Sequence, residues 1–242
     1  MRLLVLSDIH GNVDALERSL EEAERLRPDL IVSLGDVVGY GANPNECIAL
    51  VQERARIRIG GNHDVAAAGI IDTETFNRTA QRAIQWTVRN ILPHHRDALN
   101  EYDTVRRYGE CLFAHASPLS PMDWEYVYTV RQANGIFDAT GERFIFIGHT
   151  HVPAIIERHR VWGSKVVSGS VCPVDPESRY LINVGSIGQP RDGIAAASFA
   201  LLDLAKGTIT IRRVPYDIRA AQEKIRSGGL PESLAERLAT AR

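Results

Sequence analysis

Only three cysteines occur in the 242 residues, Cys47, Cys111 and Cys172, widely spaced and without a Cys-x-x-Cys pair. That argues against a disulfide frame or a structural zinc cage and reads as reduced thiols in a cytoplasmic protein. Positive charge is not in surplus either. The 28 Lys and Arg are balanced by 30 Asp and Glu, for a net charge of −2, which argues against a surface for long nucleic acid. No apolar run approaches membrane-spanning length, and Leu3–Leu6 meets Ser7 and Asp8 too soon to be a signal peptide. Internal repeats, low-complexity linkers and composition breaks are also missing. What remains is 44% hydrophobic and 24% charged, an ordinary globular mixture able to bury a sizeable core. It reads as one domain over residues 1–242, with the oligomeric state open.

The chain opens on Leu3–Leu6, a continuous apolar run of the kind that forms a strand buried on both faces. It ends in Asp8-Ile9-His10-Gly11-Asn12, where Asp8 and His10, two apart, project to one side of an extended backbone. Val13, Leu16, Leu20, Ala23 and Leu26 then predict an amphipathic helix closed by Pro28. Leu30–Leu34 predicts a second buried strand, ending in Gly35-Asp36. Asn43, Pro44 and Glu46 read as a capped helix start running to about Arg54. Arg56–Ile59 alternates like a strand and delivers Gly60-Gly61-Asn62-His63-Asp64, where the glycines let the backbone turn into an amide, an imidazole and a carboxylate. Alone this could be a mere polar turn, a reading that the similar endings of the other strands disfavour.

Further on, Phe76, Ala80, Ile84, Val88 and Ile91 form a helical stripe, and Pro93 starts a shorter helix carrying His94 and His95 on an exposed face. Residues 105–115 predict a hairpin about Gly109 that delivers His115. Residues 116–135, with Trp124, Tyr126 and Tyr128, read as a long loop. Phe144–Ile147 predicts another buried strand, ending in Gly148-His149-Thr150-His151. Ala154–Arg158, Lys165–Val167, Tyr180–Asn183, Ser198–Asp203 and Thr208–Arg212 predict a largely antiparallel set of strands, followed by helices over Ile218–Arg226 and Pro231–Ala241.

Five of the eight histidines, His10, His63, His115, His149 and His151, sit just past apolar strands, beside Asp8, Asp36 and Asn62. Carboxylates, imidazoles and one amide form a set too rich in oxygen for structural zinc and too rich in nitrogen for calcium or magnesium. It suits catalytic transition metals, with Mn²⁺ favoured and Fe²⁺, Zn²⁺, Ni²⁺ or Co²⁺ as alternatives. Seven donors exceed what one ion takes while keeping a position open, so two ions sharing a carboxylate explain the count better. Two cations about 3.5–4 Å apart can share a hydroxide and clamp both the attacking and the leaving oxygen of an in-line displacement at phosphorus.

Asp8-Ile9-His10, Gly35-Asp36, Gly61-Asn62-His63-Asp64, His115 and Gly148-His149-Thr150-His151, in that order, resemble the calcineurin-like metallophosphoesterases. The match follows their small bacterial and archaeal phosphodiesterase-type branch, which Asn183-Val184-Gly185-Ser186 resembles too. The resemblance implies an α/β fold, a four-layer αββα sandwich of two mixed sheets. It implies that Asp8, His10 and His151 hold one metal, that Asn62, His115 and His149 hold the other, and that Asp36 bridges them. His63 would face the substrate as general acid, with Asp64 orienting it. The implied activity is metal-dependent hydrolysis of a small phosphodiester or phosphomonoester, the small phosphoester being the expected partner.

Protein phosphatases and dinucleoside polyphosphatases of the same superfamily are the alternative. They typically show Gly-Asp-x-Val-Asp-Arg-Gly, against Gly35-Asp36-Val37-Val38-Gly39-Tyr40-Gly41 here, so Tyr40 stands where they carry arginine. A non-catalytic scaffold on the same fold is a further alternative, disfavoured by the complete ligand set. Among weaker candidates, Asn12 reads equally as a phosphate or ligand contact and as a helix N-cap. Arg191 reads as a phosphate clamp or, slightly favoured, as a loop-stabilising surface residue. Tyr40, Trp124, Tyr126 and Tyr128 read more as core seals than as pocket walls.

Overall fold

Alternation along the first strand decides how the layers stack. In β1 (Arg2–Leu6), Leu3 and Val5 face one way, Leu4 and Leu6 the other, and all four are buried. Leu3 and Val5 pack with Phe113, Phe144, Phe146 and Tyr180, residues of a second sheet. Leu4 and Leu6 pack with Leu16, Leu20, Ile48 and Val51, residues of helices. A strand covered on both faces must therefore lie between another sheet and a helical layer.

The computed structural model describes residues 1–242. After β1 come α1 (Val13–Leu26), β2 (Leu30–Ser33), α2 (Pro44–Arg54), β3 (Ile57–Arg58) and α3 (Asn62–Ala68). Next are α4 (Arg78–Asn90), α5 (Pro93–Leu99), β4 (Val105–Tyr108), β5 (Cys111–Ala114), α6 (Val130–Ala139) and β6 (Phe144–Ile147). The last part holds β7 (Ala154–His159), β8 (Gly163–Val166), β9 (Val171–Pro173), β10 (Ser178–Asn183), β11 (Ala197–Asp203), β12 (Thr208–Val214), α7 (Ile218–Ser227) and α8 (Glu232–Thr240).

Two six-stranded mixed sheets result, ordered β3-β2-β1-β11-β12-β9 and β4-β5-β6-β10-β7-β8. Each has a parallel trio, β3-β2-β1 in the first and β5-β6-β10 in the second, and antiparallel neighbours beside it. Helices α1, α2 and α3 cover the outer face of the first sheet. Helix α6, through Ala133, Ile136 and Phe137, covers the second over Leu112, Ile145 and Leu181. The four-layer αββα sandwich is thus the fold. Helices α4, α7 and α8 close a further cluster around Tyr40.

Several local expectations need correction. Asn43 does not cap α2; its Nδ2 donates to Glu46 Oε1 at 3.1 Å, so the two side chains satisfy one another instead of the helix amides. The long loop expected over 116–135 gives way to α6, started by Thr129, whose Oγ1 accepts the Gln132 amide at 3.2 Å. The polar loop before it obscured the three-and-four spacing of Ala133, Ile136 and Phe137. His95 is buried, its Nδ1 3.0 Å from Asn45 Oδ1, and only His94 is exposed. The three-residue strand β9 was too short for any period to show. No helix is long and apolar enough to cross a membrane.

Candidate metal centre

At the ends of β1, β2 and β6 the backbone turns through the left-handed region, and it does so at non-glycine residues. Asp8 (φ 54°), His10 (50°), Asp36 (51°), His149 (67°) and His151 (60°) all lie there. Asp and His tolerate this region better than most residues, yet each such position costs about 1–3 kcal/mol and persists only when its surroundings hold it. Here the backbone supplies the hold: Asp8 N donates to Gly35 O at 2.9 Å and His10 N to Asp36 O at 2.8 Å. Close packing adds to it, since a Cβ on Gly61 would strike the Asp36 carboxylate and one on Gly148 would strike Asp8 and Ser7. Five strained residues from three separate strands point their side chains into one space.

Asp8, His10 and His151 bring ligand atoms within 4.8 Å of one another, as do Asp36, His115 and His149, and His10, Asp36 and His63 form a third such group between them. All are buried. His10 Nδ1 lies 3.1 Å from Val38 O, His115 Nδ1 2.9 Å from Leu34 O and His151 Nδ1 2.6 Å from Gln189 O. A carbonyl only accepts, so each Nδ1 carries the proton, and each Nε2 is left for a second proton or a cation. These Nε2 atoms face carboxylates: His151 is 3.2 Å from Asp8 Oδ1, His10 is 3.6 Å and His115 3.4 Å from Asp36 Oδ2. Imidazoles fixed by a backbone carbonyl on the far nitrogen are the usual arrangement of metal-bound histidines.

The unsatisfied atoms fit the same account. Asp8 Oδ1 has no aligned donor and Asn62 Oδ1 has no partner, although both are buried. Orphaned acceptors that converge with imidazole lone pairs are costly unless a cation meets them. Burial lowers His115, but the charge and hydrogen bond of Asp36 outweigh it and raise the imidazole to about 9. A proton on His115 therefore stands where positive charge is required. Burial and then the charge of His115 take His149 down to about 3.

His63 lies at the N-terminus of α3, its ring 4.9 Å from that of His10 and 5.2 Å from that of Phe76. Its Nδ1 is buried without a partner, and burial pushes its pKa down to about 4 against the pull of Asp36. It is neutral at pH 7 in the ion-free protein. Asp64 does not orient it. Asp64 Oδ1 accepts the Val37 and Val38 amides at 2.8 and 3.1 Å, and Oδ2 accepts the Gly61 amide at 3.1 Å. The expected turn is a helix, and consecutive helical residues do not share a face. Asp64 instead pins the loop after β2 to the start of α3.

Asn12 is likewise occupied: Oδ1 caps α1 at Ala15 N (3.1 Å), and Nδ2 donates to Gly188 O (2.9 Å). Arg191 faces the centre, lining a cleft of about 360 Å³ together with His63, His149 and His151. Tyr40, Phe76, Trp124 and Tyr126 line the same cleft, so these aromatics wall a pocket after all, while Tyr128 stacks on Tyr126 and is exposed. Tyr126 stacks on His149 at 4.1 Å.

Positioning residues went unassigned at the sequence level. Asn183 Nδ2 donates to Gly148 O and Thr150 Oγ1, holding the His149–His151 loop from both ends. Ser186 Oγ donates to Asp8 O at 2.7 Å, and Gln189 offers the carbonyl that holds His151. The available signal was a strand, Tyr180–Asn183, ending in polar residues as β1 and β6 do.

A family model of the calcineurin-like phosphoesterase superfamily domain matches residues 1–207. An uncharacterized protein of Methanocaldococcus jannaschii is 37% identical over 240 residues, covering 98% of this chain and 96% of its own. Among solved structures, a metallophosphoesterase from Sphaerobacter thermophilus superposes with a TM-score of 0.88 at 39% identity, over 100% of this chain and 99% of that one. A hypothetical protein from Pyrococcus horikoshii shares the fold with a TM-score of 0.80 at 21% identity, over 100% and 98% of the two chains.

Proposed function

This chain belongs to the calcineurin-like phosphoesterase superfamily, and from that premise we propose that it hydrolyses a small phosphodiester or phosphomonoester with two divalent transition-metal ions, Mn²⁺ favoured. Asp8, His10 and His151 would hold one ion, Asn62, His115 and His149 the other, with Asp36 between them. When bound, the ions would supply Lewis-acid charge to the phosphoryl oxygens and lower the pKa of water to about 7, which suits in-line attack on phosphorus.

The chain's own residues supply orientation and a proton. Asn183, Ser186 and Gln189 hold the loops of the ligand set. His63, neutral in the ion-free protein, lines the cleft. An anionic phosphoryl group lying against it raises its pKa, and it then holds the proton that the departing alkoxide needs. The aromatic walls limit water around that proton and give the organic part of the ester a surface to rest on.

One observation carries this reading: groups of carboxylate and imidazole donors with orphaned acceptors converge at a single cleft that His63 also lines. The test is hydrolysis of bis-p-nitrophenyl phosphate and p-nitrophenyl phosphate with Mn²⁺, with a chelator control. Turnover that the chelator abolishes is expected. Protein that binds metal yet turns over neither ester would instead be a scaffold on the same fold.

A further inference from the structure

Beside the metal centre two arginines stand together without a carboxylate. Arg191, in the loop after β10, donates Nη2 to Gln189 Oε1 at 2.9 Å, and Arg237, on α8, reaches the same oxygen through Nη1 at 3.4 Å. One neutral amide oxygen thus holds two guanidinium groups side by side. No acidic oxygen lies within 4.0 Å of either, and Asp192, next in the chain, is taken by Arg213. Arg191 Nε is buried with no partner. Arg237 is lowered from its ordinary pKa by burial and then by the charge of Arg191. A purely structural tie between α8 and this loop would be better made by a carboxylate at position 189, which neutralises one cation and matches its fork. With Gln189 there instead, the pair keeps both charges and unused donors.

The location narrows what those donors are for. The Arg191 guanidinium carbon lies 5.8 Å from the centre of the Tyr40 ring, and that ring's own neighbours are His10 and His63, at 4.6 and 4.5 Å. The cation pair therefore begins in the cleft, one aromatic ring removed from the metal ligands, and leads away from them to α8. We propose that Arg191 and Arg237 form a subsite for a second anionic group of the substrate, a phosphate other than the phosphoryl group being cleaved. This rests on the phosphoesterase reading above. It defines the substrate class as a phosphoester with a further phosphate, bound through the planar, multi-donor recognition that guanidinium groups offer.

Thymidine 5′-(p-nitrophenyl phosphate) and the same compound phosphorylated on its 3′ oxygen differ only in the second anion. Adenosine 5′-phosphate and adenosine 3′,5′-bisphosphate repeat the comparison for a monoester. With Mn²⁺-loaded protein, kcat/KM for the member with two phosphates should exceed that for the member with one about tenfold or more. That ratio should fall towards one, about a tenfold loss or more, in Arg237→Gln and in Arg191→Gln, chiefly through KM. Arg237→Lys should keep part of it, because the charge remains while the fork is lost. Thermal unfolding of each variant separates loss of the subsite from loss of the fold. Equal wild-type rates within both pairs, or an Arg237→Gln variant that slows both members alike, would overturn the subsite and leave the arginines as a tie for α8. If bis-p-nitrophenyl phosphate is still hydrolysed in that case, the phosphoesterase reading survives. If metal-loaded wild type hydrolyses no ester at all, that reading falls and the subsite falls with it.

Discussion

The two sheets contribute different chemistry to one centre. From the first come all the oxygen donors, Asp8, Asp36 and Asn62, with His10 and His63 beside them; from the second come only imidazoles, His115, His149 and His151. The carboxylates divide their labour by atom. Asp8 Oδ2 accepts the His149 amide at 3.0 Å and Asp36 Oδ1 accepts the His63 amide at 2.9 Å, while Asp8 Oδ1 and Asp36 Oδ2 face imidazole nitrogens. One oxygen of each fixes backbone, in Asp8's case that of the opposite sheet, and the other is left for a cation. Two imidazoles of the second sheet, His115 and His151, divide likewise, with Nδ1 against a backbone carbonyl and Nε2 towards a carboxylate. Negative charge thus sits on one side of the sandwich and imidazole donors, whose protonation can adjust, on the other.

Breaking the carboxylate side should have the largest effect. Asp36→Asn keeps an oxygen for the His63 amide but removes the charge that faces His10 and His115. Metal analysis should show loss of bound ion, and the rate should fall to that of chelated wild type; full metal content would mean the charge is not needed. Next, His63→Ala should keep its metal and lose about 10²–10⁴ in rate on an alkyl phosphodiester. Unchanged rate there would remove His63 from the reaction.

Asn183→Ala tests the other sheet, where it should loosen the His149–His151 loop and cost about 10–100-fold in metal affinity or rate. Equal metal affinity and rate would show that the loop holds itself. The smallest effect is a proton. His115, raised to about 9 in the ion-free protein, must lose its Nε2 proton to bind an ion, so calorimetry in buffers of different ionisation enthalpy should show about one proton released at pH 7 and none well above pH 9. In the ion-free fold the same raised pKa stabilises fully below about pH 6.5, and that contribution is lost as pH rises through 9. Unfolding measured across that range with chelator present should show the decline, and Ala at position 115 should flatten it.

Much of the centre could be read in advance because hydrophobic runs such as Leu3–Leu6 and Phe144–Ile147 stop abruptly at residues with metal-binding chemistry. Asp64 was misread because its role depends on the 100° rotation between neighbours in a helix that no apolar pattern announced. Asn183 and Gln189 went unassigned because a backbone carbonyl or a loop-holding amide is not distinctive as a residue type. Tyr40, Phe76, Trp124 and Tyr126 became cleft walls only once α4 and the loop before α6 were placed.

By itself the sequence determined most of the strands, the order of their polar endings and the kinds of donor available, since periodicity and residue chemistry are local properties. Only the folded chain decided that Arg191 and Arg237, 46 positions apart, would share Gln189 Oε1, that Asp64 would turn from His63 to backbone amides, and that one oxygen of Asp8 and one of Asp36 would fix backbone. Those outcomes depend on which surfaces meet across two sheets, and contacts between distant segments leave no period in the chain that forms them.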